Sequence, residues 1–221
     1  LQIDLPIRPD RPALRRQEIA DIAPGASLTL AAPTEPVRPG SWSRAVTVAA
    51  DPSVVRLVAG LNYLAEYPFG CTEQRIALSS ATLAMKPFTP ILQAAGLDGR
   101  ISSDVRATVR AIEQAIDEDG LVAFWPRGKG TVSLTAWAYT FIAAADKAGE
   151  TVDPALKERL GKILKQALRS DFPRFVGGEA LRERVEALTA LGEGGALDDA
   201  YVAELGRRSD ALSTLSLAQA T

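Results

Sequence analysis

The sequence predicts a mainly helical fold preceded by a short β segment. Three observations carry that prediction. Apolar residues in the first fifty positions alternate, which is strand spacing, whereas from Asp51 onward they recur every three or four residues, which is helix spacing. One helical pattern, "LTAWAYTFIAAA", is apolar nearly all the way round, and the next carries a single apolar stripe. A helix apolar on every side is enclosed and a striped one covers it, so the succession predicts two concentric layers, an α/α toroid.

Each element has a local reason. Leu1, Ile3, Leu5 and Ile7 alternate, and "PIRPDRP" must then run extended, because proline removes backbone donors and biases its predecessor away from the helix. "ASLTLAA" and "WSRAVTVAA" are further strand-like runs, separated by the turn-rich "PTEPVRPG". Residues 1–50 are thus read as part of a flanking β-sandwich domain, too short to complete one without strands from elsewhere. The helical domain is placed at 51–221 and read as truncated at its end. Its first helix fits Ser53 to Glu66, and a second runs from about Thr72 to Lys86, before Pro87. A third, capped near Ser103, carries Val105, Val109, Ile112 and Ile116. The enclosed fourth spans Thr131 to Lys147. The fifth has Asp153 as N-cap and Pro154 at its first position, and it buries Leu156, Leu160, Ile163, Leu164 and Leu168. A sixth follows through Leu181, Val185, Leu188 and Leu191, with others at Ala200 to Arg207 and from Asp210.

Composition narrows the chemistry. The 221 residues carry 27 acidic and 25 basic side chains, a net charge of −2, so no polyanion-binding footprint stands out and nucleic acid is not expected as a partner. No apolar run approaches the length of a membrane span. The only methionine is Met85, and the chain opens in a strand-like run and stops in a helical one, so it is read as a fragment of a longer protein. One cysteine excludes an internal disulfide, and the absence of histidine removes the commonest metal ligand and general base. No metal or cofactor is expected.

The lone cysteine sits in "YPFGCTEQ", three residues before a glutamine. At a helix start, residues i and i+3 lie on one side, so Cys71 and Gln74 can touch. The free N–H groups at that end favour thiolate. Attack of a thiolate on the Gln74 amide would expel ammonia and leave a Cys–Gln thioester, an acylating agent stored in the fold. The small ring needs an unusual backbone turn, for which Pro68 and Gly70 are suited. Glu73 is read as electrostatic support for the helix start rather than as a general base.

"GCTEQ" preceded by "YPF" resembles the thioester motif of the α2-macroglobulins and complement thioester proteins, above all their bacterial members. "GTVSLTAWAYTFIAAA" is similar to the inner helix of that family with its "LTA" signature, and the proline-rich β segment resembles the strands that lead into its thioester domain. The resemblance implies that Cys71 and Gln74 are the bonded pair, with Tyr67, Pro68, Gly70 and Glu73 in support. It implies a protein of bacterial defence, a large periplasmic, lipid-anchored inhibitor of endopeptidases that acylates amines of the attacking protease. Such a trap is used once and is no turnover enzyme. Its further partners would be the other domains of the parent chain and, by resemblance, peptidoglycan-synthesis proteins. Complement relatives pass the acyl group to hydroxyls through a histidine; this chain has none, so transfer would be direct and amines would outcompete hydroxyls and water.

Other motifs are weaker. "WPRGKGT" departs from a phosphate loop, with Ala123 where the first glycine is needed and Gly130 after the lysine; it is read as the turn before the fourth helix, and the resemblance places it near the thioester. "DEDG" at 117–120 lacks calcium-ligand spacing and is read as a helix-ending turn. Trp125 and Trp137 are expected in the core. Two other functions compete: a non-covalent helical interaction module with an incidental cysteine, and a cysteine-dependent acyl-transfer enzyme, which lacks the histidine such enzymes use.

Overall fold

The computed structural model describes residues 18–44, 46–56, 70–88, 101–169, 171–175, 180–197 and 199–207, together with residues 14, 16, 60, 93 and 99. The chain divides into two units, Leu1–Ala50 and Asp51–Thr221.

The described part of the first unit contains no paired strand. It is chain punctuated by two tight turns, in which Ala26 N–H donates to Ala23 C=O and Ser41 N–H to Arg38 C=O, both at 3.0 Å. Each has proline second and glycine third, and Gly25 and Gly40 take φ of 78° and 75°, the left-handed value a type II turn demands there. Alternating Leu28, Leu30, Val46 and Val48 are all exposed. The expected strands are thus absent among the described residues. Alternation gives a run its face, but a ladder also needs a second backbone to receive its hydrogen bonds. The "PIRPDRP" segment lies outside the described residues.

The second unit is helical. Residues 52–56 are helical, and the rest of the expected first helix lies outside the described residues apart from residue 60. Among the described residues, six helices of eight or more residues follow: α1 (Thr72–Ala84), α2 (Ile101–Gln114), α3 (Val132–Lys147), α4 (Pro154–Ala167), α5 (Ala180–Glu193) and α6 (Asp199–Gly206). A single 3₁₀ turn, Lys86–Phe88, follows α1 at Pro87. Helix α2 starts slightly before the expected Ser103 cap, and anything beyond residue 207 lies outside the described residues. No described helix is long and apolar enough to cross a membrane.

Helix α3 is the hub, in contact with α1, α2, α4 and α5. Leu134, Ala138, Phe141, Ile142 and Ala145 are buried, while α4 turns only Leu156, Leu160, Gly161, Ile163, Leu164 and Ala167 inward. The enclosed and covering roles therefore fall as predicted. The close fit of α3 to its neighbours comes from missing side chains: a Cβ on Gly194 would lie 2.3 Å from the ring of Tyr139, and one on Gly161 would lie 3.2 Å from it. The buried Tyr139 ring occupies the space those glycines leave. Between α1 and α2, the buried Ser79 and Thr108 hydroxyls bond at 2.6 Å. Trp137 departs from expectation at 41% exposure, on a surface line with Ala144. That helix is enclosed on all but one narrow side, and the bulkiest residue takes it.

Candidate functional site

The site forms where the start of α1 meets the loop between α2 and α3. Cys71 is the N-cap of α1, with extended backbone at φ −64° and ψ 162°, and it is buried at 6% exposure. A helix start leaves backbone donors without intrahelical partners, and here several are satisfied by name. Cys71 N–H donates to Gln74 Oε1 at 3.4 Å, and the Cys71 side chain faces the Gln74 backbone N–H, a reciprocal capping box. Thr72 donates twice to the Phe124 carbonyl, from N–H at 2.9 Å and from its hydroxyl at 3.1 Å. Arg75 N–H closes the first helical bond to Cys71 C=O at 3.0 Å.

The structure brings Cys71, Glu73 and Gln74 together. Cys71 Sγ donates to Glu73 Oε2 across 3.7 Å. Gly70, just ahead, has its carbonyl bound by Arg75 Nε at 2.8 Å, and a Cβ there would meet the same guanidinium at 3.1 Å. Tyr67 and Pro68 lie outside the described residues. The arrangement puts a buried thiol and a half-buried glutamine amide on one helix start, with the amide oxygen on the Cys71 backbone N–H and a carboxylate on the sulfur.

The loop that meets this corner is held by groups in stretches to which the sequence assigns only a turn or a helix. The Asp117 carboxylate accepts from the backbone N–H groups of Asp119 (3.0 Å), Leu121 (2.9 Å) and Gly130 (2.8 Å), and from Arg174 at 3.2 Å. Thr135, the middle residue of "LTA", is fully buried and its hydroxyl accepts from Val122 N–H at 2.8 Å. Glycine is required where the loop turns back, since a Cβ on Gly130 would lie 2.5 Å from the Leu121 backbone. Arg127 takes a φ of 64°, unusual for a side chain of its size. The "DEDG" stretch is indeed a turn after α2, and the "WPRGKGT" stretch the turn before α3. One signal could have found Asp117: an aspartate two to four residues before a turn glycine commonly binds nearby backbone. Nothing in the sequence marks the Phe124 carbonyl.

Trp125 is not in the core; it is 54% exposed beside Phe124 at 45%. The tight loop spends its backbone on holding α1 and points its aromatic tip outward. Among the described residues, no group of three or more Cys, Asp or Glu side chains could hold a metal ion.

No protein-family model matches the chain, and no curated protein does either. Solved structures do. The chain is similar to native Escherichia coli α2-macroglobulin in its C-terminal part, with a TM-score of 0.64 and 22% identity over 76% of this chain. It is similar to Salmonella α2-macroglobulin reacted with methylamine, with a TM-score of 0.63 and 24% identity over 76% of this chain. The native E. coli protein seen by cryo-electron microscopy gives a TM-score of 0.64 at 22% identity. These likenesses establish that the chain, over about three quarters of its length, has the fold of a stretch of the bacterial α2-macroglobulins. The chain spans 27% of the first of these structures and 11% of each of the other two.

Proposed function

We propose that this chain is part of a bacterial α2-macroglobulin-like protease inhibitor and that Cys71 and Gln74 form its thioester. The observation that carries the reading is the reciprocal contact of those two residues at the start of α1, within a fold shared with the bacterial proteins. The thiolate attacks the Gln74 acyl carbon, the S–C bond forms and ammonia leaves. Burial of Cys71 then matters chemically, because it limits the approach of water to the bond from the sulfur side. When the corner opens, an amine of the attacking protease adds to the acyl carbon and Cys71 leaves as thiol, so the protease is tethered through Gln74. The protein acts once per molecule and is not a turnover enzyme. Periplasmic location, a lipid anchor, contacts with other domains of the parent chain and contact with peptidoglycan-synthesis proteins belong to the same proposal. Chemistry consistent with it is found in the Salmonella protein, which has been reacted with methylamine.

The test is the mass of the full-length protein in denaturant. The bonded form is short by one ammonia, methylamine adds to Gln74 and frees one thiol, and Cys71→Ala abolishes both. Glycerol at equal concentration tests whether hydroxyls are served as well as amines, since none of these 221 residues is a histidine that could relay the acyl group to them. Equal labelling of wild type and Cys71→Ala ends the thioester reading and leaves the non-covalent helical module in its place.

A further inference from the structure

Forming the thioester requires a group that removes the thiol proton and returns one to the departing nitrogen. Histidine, the commonest carrier, is absent from these 221 residues. The structure puts a carboxylate in its place: Cys71 Sγ donates to Glu73 Oε2 across 3.7 Å. In the same corner, the Gln74 carbonyl oxygen is held by Cys71 N–H at 3.4 Å, which polarises the amide that the sulfur must attack. Asp117 is committed elsewhere, with its carboxylate bound by three backbone N–H groups and Arg174. Glu73 is therefore the carboxylate in contact with the reacting sulfur.

We propose that Glu73 is the catalytic proton carrier of the Cys71–Gln74 thioester, a role that rests on the thioester reading and goes beyond electrostatic support of the helix. In bond formation, Glu73 takes the Sγ proton as sulfur bonds to the Gln74 acyl carbon. It then gives that proton to Nε2, the C–N bond breaks, and ammonia leaves with Glu73 again ionised. In aminolysis the path reverses. A neutral amine adds to the acyl carbon, its surplus proton passes to Glu73 and on to sulfur, and the C–S bond breaks to give a substituted Gln74 amide and the Cys71 thiol. No oxidant, metal or outside base is consumed.

The experiment uses the full-length protein and reads methylamine incorporation with the ammonia deficit in intact mass. Glu73→Gln keeps the size and hydrogen-bonding reach of the side chain but cannot carry the proton, so incorporation slows by about 100-fold. Glu73→Asp falls between the two. Glu73→Ala is restored by added formate, with a rate that rises in proportion to formate, a readout that a purely structural role does not move. Bond formation is tested in the same way where a variant lacks the deficit: its return with formate supports the role. A folded Glu73→Ala chain that formate leaves unreactive overturns it, as does a Glu73→Gln chain that reacts at the wild-type rate. A wild-type chain with no ammonia deficit and no methylamine uptake removes the thioester reading itself, and this role with it.

Discussion

Residues 26–48 and helix α3 are both rich in apolar side chains at regular spacing, yet one run lies open and the other is buried. Leu28, Leu30, Val46 and Val48 repeat every two residues and are between 44% and 80% exposed. Leu134, Ala138, Phe141 and Ala145 repeat every three or four and are at most 3% exposed. The difference is where each backbone finds its hydrogen bonds. A helix closes them within itself and needs neighbours only for its side chains, whereas a strand needs a neighbour for both. A helical pattern can therefore become a core within one chain, while a strand pattern waits for another strand. The same asymmetry sets the site's location, since the thiol lies at a helix start that its own chain can cap.

The comparison breaks first at the tightest points of the helical unit. Gly130→Ala forces a Cβ to within 2.5 Å of the Leu121 backbone and frees the loop that meets α1. The expected loss is about 3 kcal/mol in urea unfolding of the helical unit. An unchanged midpoint would mean that the loop is not packed as described. Next is Gly194→Ala, whose Cβ would lie 2.3 Å from the Tyr139 ring, with an expected loss of about 2 kcal/mol. In a Tyr139→Leu background most of that cost should vanish, and a double-mutant cycle measures the remainder.

The ion pair of Glu150 with Lys86, at 2.7 Å, comes third. The hydrogen bond from Lys86 is the main reason the Glu150 carboxyl is held below its ordinary range. The native state therefore takes up that proton less readily than the unfolded chain, so the pair's contribution is present at neutral pH. It fades as pH falls through the ordinary glutamate value of about 4.3 and is gone below the depressed native one. Because Lys86 is 40% exposed, the contribution is about 1 kcal/mol or less. Glu150→Gln should lower stability by that amount at about pH 7, and the gap between the two proteins should narrow steadily as pH falls below about 4.3, checked by urea unfolding across that range. The smallest effect is expected in the first unit, where Val48→Ser should change the unfolding free energy by less than about 0.5 kcal/mol, since Val48 is 80% exposed. A larger shift would show that this segment is buried in solution, and would remove the contrast.

Much of the helical unit was determined by sequence alone, because its signals are local. Asp153 and Pro154 mark the start of α4. Thr131 caps α3 by accepting from Leu134 N–H, and the i, i+3 spacing of Cys71 and Gln74 puts both on one side of a helix start. Each depends on residues within one turn of each other, which is the range over which a chain dictates its own shape. Tertiary structure decided what lies across a larger gap. That Phe124 holds Thr72, that Asp117 holds Gly130, and that Tyr139 fills the space beside Gly161 and Gly194 are contacts between segments whose spacing carries no period. Trp125 and Trp137 lie outside the core, against expectation, for the same reason, since hydrophobicity gives a side chain its preference and only the assembled neighbours decide whether there is room. The chain's local patterns put a thiol and an amide at one helix start. The folded loop supplied the carbonyl that anchors that start, because hydrogen-bond partners many residues apart are chosen by packing and not by sequence spacing.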